Sequence, residues 1–99
     1  MIDISLQAVP NQKFSVDADG YTYDVVVRTT DNRTVVDVSI DGDYVVRGMR
    51  ALPFVPLIPY PYLQAGNFVF QTQNDNIPYY TDFGASTSLV YLELVDLNA

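Results

Sequence analysis

The chain has no cysteine, no histidine and no tryptophan, and Lys13 is its single lysine. Without cysteine there is neither a disulfide nor a thiolate metal site; the compartment stays open, because cytosolic and secreted proteins alike can do without cysteine. Without histidine the commonest general base and the commonest metal ligand are lost together. Positive charge is scarce: five Lys and Arg stand against twelve Asp and Glu, a net charge of -7 at pH 7. Such a surface repels nucleic-acid phosphate and anionic lipid. No apolar run approaches the ~20 residues of a membrane-spanning helix. The Met1 end lacks the basic region and apolar run of a signal peptide. No segment keeps a helical period, and no internal repeat is visible.

What is present is apolar matter in a two-residue period. Hydrophobic residues make up 48% of the 99 and charged residues 17%. That suffices for the core of one domain spanning 1–99 and is too apolar for a disordered chain. Ile2, Ile4, Leu6 and Ala8 alternate with Asp3, Ser5 and Gln7, the pattern of a half-buried strand. Phe14 and Val16 alternate with Lys13 and Ser15, and Asp19-Gly20 marks a hairpin turn. Tyr21, Tyr23, Val25 and Val27 then share one face. After a turn at 31–33, Val36, Val38 and Ile40 form the next inward face, and Asp41-Gly42 marks a second hairpin into Tyr44–Val46. Strands joined in sequence by tight turns are antiparallel.

The middle of the chain changes character. Prolines 53, 56, 59 and 61 break up Leu52, Phe54, Val55, Leu57, Ile58, Tyr60 and Tyr62. Proline fixes φ and lacks an N–H, so the segment is predicted as an extended, polyproline-like crossover and not a central strand. Strand pattern resumes at 67–72 with Phe68 and Phe70 on one face. An aromatic loop follows at 78–84. The last strand, 89–97, is apolar on both faces and is therefore predicted to be central or to touch something beyond its own sheet. The fold class is all-β: a small, mostly antiparallel barrel or sandwich with a proline-rich apolar crossover.

No catalytic set can be assembled. Serines and threonines have no histidine to activate them. Asp75 and Asp82 are a carboxylate pair of the kind glycosidases use, but both sit among polar loop residues and nothing marks either as buried. The acidic turns at 17–20 and 41–43 lack the ligand series and closing glutamate of a calcium loop, which leaves hairpin turns. The arginines, 28, 33, 47 and 50, face acidic neighbours and read as solvated or weakly paired. The loop aromatics Tyr60, Tyr62, Tyr79, Tyr80 and Phe83 either cap the ends of the core, form a protein interface, where tyrosine is enriched, or make a sugar-stacking platform.

The order of motifs resembles one family. Pro10-Asn11-Gln12-x-Phe14 follows the first strand, then a tyrosine-rich strand and an Asp-Gly hairpin. The crossover leads to Tyr60-x-Tyr62-Leu63 and Gly66-Asn67-Phe68, and Ile77-Pro78-Tyr79-Tyr80-Thr81-Asp82-Phe83-Gly84 precedes the closing Leu89-Val90-Tyr91-Leu92. This order is similar to that of the baseplate plug proteins of contractile-tailed bacteriophages, of the cyanophage type. The resemblance implies a structural virion component at the centre of the tail baseplate, made in the host cytoplasm. It implies no enzymatic role and no cofactor. Its partners would be other tail proteins (hub, spike or tube), with self-association left open. The competing reading is a small module at a tail tip that binds a glycan or receptor. The expected interface comprises Phe54, Val55, Leu57, Ile58, Tyr60, Tyr62, Tyr79, Tyr80 and Phe83. An extended crossover cannot easily turn so many apolar side chains inward, and its prolines lower the entropy cost of docking. The bland alternative is that the crossover closes one end of the core.

Overall fold

A computed structural model describes residues 2–58 and 66–93. It contains seven strands: β1 Ile2–Ile4, β2 Gln12–Ala18, β3 Tyr21–Thr30, β4 Arg33–Ile40, β5 Asp43–Arg50, β6 Asn67–Thr72 and β7 Thr87–Leu92. They form a four-stranded sheet in the order β2-β3-β4-β5 and a three-stranded sheet in the order β1-β7-β6. Every pairing between them is antiparallel. The two sheets face each other as a sandwich and do not close into a barrel.

Turn chemistry builds the first sheet. Asp19 and Gly20 both have positive φ (52° and 80°), as do Asp41 and Gly42 (51° and 92°). Two left-handed residues in succession make the tight turn whose twist matches a β-hairpin. The register that follows pairs Phe14 with Val25 and Val25 with Val38, so one apolar face runs across the sheet. Tyr23, Val25, Val27, Val36 and Val38 on that face are fully buried. Opposite them stand Phe68 and Phe70 of β6 and Leu89 and Tyr91 of β7.

The sequence-based strand limits need adjustment. The first strand ends at Ile4, although Leu6 still enters the core. Strand β5 is longer than Tyr44–Val46 because its pairing with β4 resumes beyond an irregularity, ending with Val35 opposite Arg50. The last strand starts at Thr87; its expected end at 94–97 lies outside the described residues. It is the middle strand of its sheet. Val90 and Val69, opposite each other on its outer face, are buried too, which is why both its faces are apolar.

The sheets meet at an aromatic cluster. The Tyr23 ring lies 5.4 Å from Phe68 and 5.0 Å from Tyr91, and Phe68 lies 5.0 Å from Tyr91. The Tyr91 hydroxyl donates to the Asp19 carboxylate at 2.7 Å and lies 2.8 Å from the Tyr23 hydroxyl. Burial pushes the Tyr91 hydroxyl far above the ordinary tyrosine range, and its bonds to Tyr23 and Asp19 push the same way. Burial raises Tyr23 as well, outweighing its hydrogen bonds with the Tyr91 hydroxyl and the Gly66 N–H.

Both folded-state values are raised, so the stabilisation is fully present below about pH 10, the unfolded tyrosine value, and is lost as pH rises through the folded values. Of the eight tyrosines, Tyr23 and Tyr91 should ionise only as the protein unfolds. An alkaline titration followed by tyrosinate absorbance and circular dichroism should show their phase coinciding with loss of structure. A single reversible phase for all eight in the folded state would contradict this arrangement.

Candidate interaction surface

The crossover is fastened along the outer edge of β6. The Phe54 N–H donates to the Phe70 carbonyl at 2.8 Å and the Leu57 N–H to the Phe68 carbonyl at 2.9 Å. Asn67 clamps Ile58 from both sides: its Oδ1 accepts from the Ile58 N–H at 2.9 Å and its Nδ2 donates to the Ile58 carbonyl at 2.7 Å. These bonds cover an edge that would otherwise be open to another strand. They also correct the expectation of a uniformly extended segment. Phe54 is left-handed, with φ 59°, and the chain turns there so that two of the few N–H groups between the prolines reach β6.

That turn sorts the crossover into two sets. Leu57 and Ile58 point into the core at 0% and 3% exposure. Phe54 and Val55 point out at 51% and 39%. Leu57 and Ile58 are therefore core residues and leave the expected interface. Phe83 leaves it too: it is 4% exposed and stacks on Phe70 at 5.9 Å. Tyr79 and Tyr80 are half-buried, with rings 4.8 Å apart. Tyr60 and Tyr62 lie outside the described residues.

Buried Thr34 ties the aromatic loop to the start of the crossover. Its hydroxyl donates to the Pro78 carbonyl at 2.9 Å, and its own carbonyl accepts from the Ala51 N–H at 2.9 Å. Ile77, beside Pro78, is 50% exposed, and sequence reasoning missed it. The signal was available, since an isoleucine stands alone in a polar loop with no alternating partner. Tyr44, also exposed, was missed as well; it stands on β5 with the Arg47 guanidinium 4.6 Å above its ring. It lies beside a shallow groove of about 290 Å³ on the outer face of the four-stranded sheet, lined also by Lys13, Asp24, Val26, Ser39 and Gly42.

That outer face carries a well-defined ion pair. Arg28 makes a two-pronged pair with Asp37, each contact 3.0 Å, and the Gly48 N–H donates to the same carboxylate at 2.6 Å. Burial works against the charged carboxylate, but Arg28, Gly48 and Arg47 outweigh it and hold Asp37 below the usual range. The pair is better defined than the weak surface contact expected for these arginines. Asp75 and Asp82, weighed above as catalytic acids, lie apart in role: Asp75 is exposed in the turn after β6, and Asp82 belongs to the 3-10 turn Tyr80–Asp82.

The chain is an antiparallel sandwich that displays apolar side chains on one turn, and on its outer face Asp37 pairs with Arg28 while Asp17 and Asp24 accept from Thr22 and Ser15. A protein-family model described as cyanophage baseplate Pam3 plug gp18 matches residues 1–94 of the 99. The chain belongs to this baseplate plug family. It is accordingly a structural protein of the virion, located in the tail baseplate and associated there with other tail proteins. No curated protein matches the chain.

The two sets of crossover residues should respond differently to substitution. Ile58→Ser removes a buried side chain beside the Asn67 clamp and should cost about 2–5 kcal/mol of stability. Phe54→Asn removes exposed apolar surface at a position whose left-handed backbone asparagine tolerates better than phenylalanine. Its melting temperature should stay level or rise. Equal losses in thermal unfolding would show that the turn is part of the core.

Proposed function

We propose that this plug component docks onto its baseplate neighbours through the Phe54–Val55 turn, with Ile77, Tyr79 and Tyr80 of the loop that Thr34 ties to the start of the crossover as further contacts, and that its role is non-catalytic. The observation that carries the reading is Phe54 itself. A phenylalanine in the left-handed region costs about 1–2 kcal/mol relative to ordinary backbone. At 51% exposure it recovers little of that by burial within the chain. Strain held under an exposed aromatic is characteristic of a contact completed by something outside the molecule. The adjoining prolines 53 and 56 keep the turn ordered before contact, which lowers the entropy lost on docking.

Hub, spike and tube proteins are the partners such a position offers. The acidic chain, at -7, favours a partner face that is apolar at its centre and neutral or basic at its rim. Tails assembled with the Phe54→Asn/Val55→Ser variant should lack the protein or release it easily, although the purified variant stays folded. Normal incorporation of a folded variant would overturn this assignment of the surface. Binding of the isolated chain to purified glycans, abolished by substituting Tyr79 and Tyr80, would favour a tail-tip binding module instead.

A further inference from the structure

Four strands bound the two sheets, and three of them are protected. The crossover covers β6. Strand β5 is distorted by register shifts and by Gly48 at φ 67°, and it carries Arg47 and Arg50. Strand β1 has only three residues. The fourth, β2, is regular: all seven residues from Gln12 to Ala18 pair with β3 without a bulge or proline. Among the described residues nothing pairs with its outer edge. Its inward side chains Phe14, Val16 and Ala18 are only half-buried, whereas Tyr23, Val25 and Val27 on the neighbouring strand are closed off completely. The sandwich is therefore open along β2, in backbone hydrogen bonds and in apolar cover alike.

We propose that a second copy of this chain fills that opening by pairing its own β2 antiparallel to the first, about a twofold axis through Ser15. The sequence of the strand, Gln-Lys-Phe-Ser-Val-Asp-Ala, is complementary to itself in this register. Lys13 faces the partner's Asp17, and Asp17 faces the partner's Lys13. Phe14 faces the partner's Val16 on the inward side, an aromatic with a β-branched residue. Gln12 faces the partner's Ala18, so all seven positions are used. Slipping by two residues one way sets Lys13 against a serine; the other way sets Asp17 against a serine and moves Lys13 past the strand end to Asp19, whose carboxylate sits in the left-handed turn and already accepts from Tyr91. An odd slip turns apolar residues against polar ones. Lys13 forms no ion pair among the described residues. The pairing would join two four-stranded sheets into one continuous sheet, in the symmetric arrangement commonest for homodimers. It does not depend on the docking turn at Phe54, and it concerns the purified protein in solution.

Charge reversal tests the register as well as the contact. Sedimentation of the wild-type chain over a concentration series should show a monomer–dimer equilibrium. Lys13→Asp and Asp17→Lys each create two like-charge cross-strand pairs per dimer and should each weaken the dimer roughly tenfold, with circular dichroism confirming that both still fold. An equimolar mixture of the two single variants restores both ion pairs between unlike chains and should recover dimer, as should the Lys13→Asp/Asp17→Lys double variant. A wild-type chain that stays monomeric throughout would overturn the proposal. So would a dimer indifferent to both reversals, or single variants that fail to complement each other.

Discussion

The contact between Tyr91 and Tyr23 is the constraint on which the rest of this molecule depends. These two residues, with Phe68, join the central strand of one sheet to the inner face of the other. Ring pairs of this kind add about 0.5–1.5 kcal/mol each beyond the area they bury. The hydroxyls must also be satisfied, because an unpaired buried hydroxyl costs about 1–3 kcal/mol. Asp19 supplies the acceptor from the β2–β3 turn, so the turn that closes a hairpin also latches one sheet to the other. Gly66 stands against the same cluster: a Cβ there would collide with the Tyr91 hydroxyl end and the Leu92 carbonyl. The chain therefore re-enters the sandwich after the crossover at a point where only glycine fits.

With the two sheets joined in this way, the crossover can divide its residues. Leu57 and Ile58 complete the core and the Asn67 clamp holds them in place, while Phe54 and Val55 are left outside. A baseplate component must survive assembly and then resist displacement, and a chain without cysteine has no disulfide to help. Inter-sheet packing holds the fold together, and the exposed turn stands outside that packing. The outer sheet face is quiet by comparison, since Arg28 and Asp37 neutralise each other there.

Much of this was legible in the chain. Period-two alternation located strands around 13–16, 21–30 and 35–40, within the observed β2, β3 and β4, and aspartate-glycine pairs located two of the hairpin turns. The apolar character of both faces of the last strand pointed to a strand either central or touching something beyond its own sheet, and β7 is central. The motif order pointed to the family. What could not be read was set by contacts distant in sequence. The sorting of the crossover depends on the left-handed turn at Phe54, which local composition does not announce. Phe83 looked like a loop aromatic because its stacking partner, Phe70, belongs to another strand. The Arg28–Asp37 pair follows from the β3–β4 register, in which Arg28 sits opposite Val35 and Asp37 opposite Val26. Ile77 was legible as a lone isoleucine in a polar loop, a signal that a search for periodic faces passes over.

The central claim is that one pre-formed sandwich, held by its aromatic cluster, enters the baseplate unchanged and meets its neighbours through its surface. Amide hydrogen exchange, compared between the free chain and assembled tails, tests it most directly. The account predicts slow exchange in β3, β4 and β7 around Tyr23, Val36 and Tyr91 in both states, with new protection on assembly at the Phe54–Val55 turn. Fast exchange through β3 and β7 in the free chain, becoming slow only in tails, would mean that the fold forms on assembly and would contradict the account.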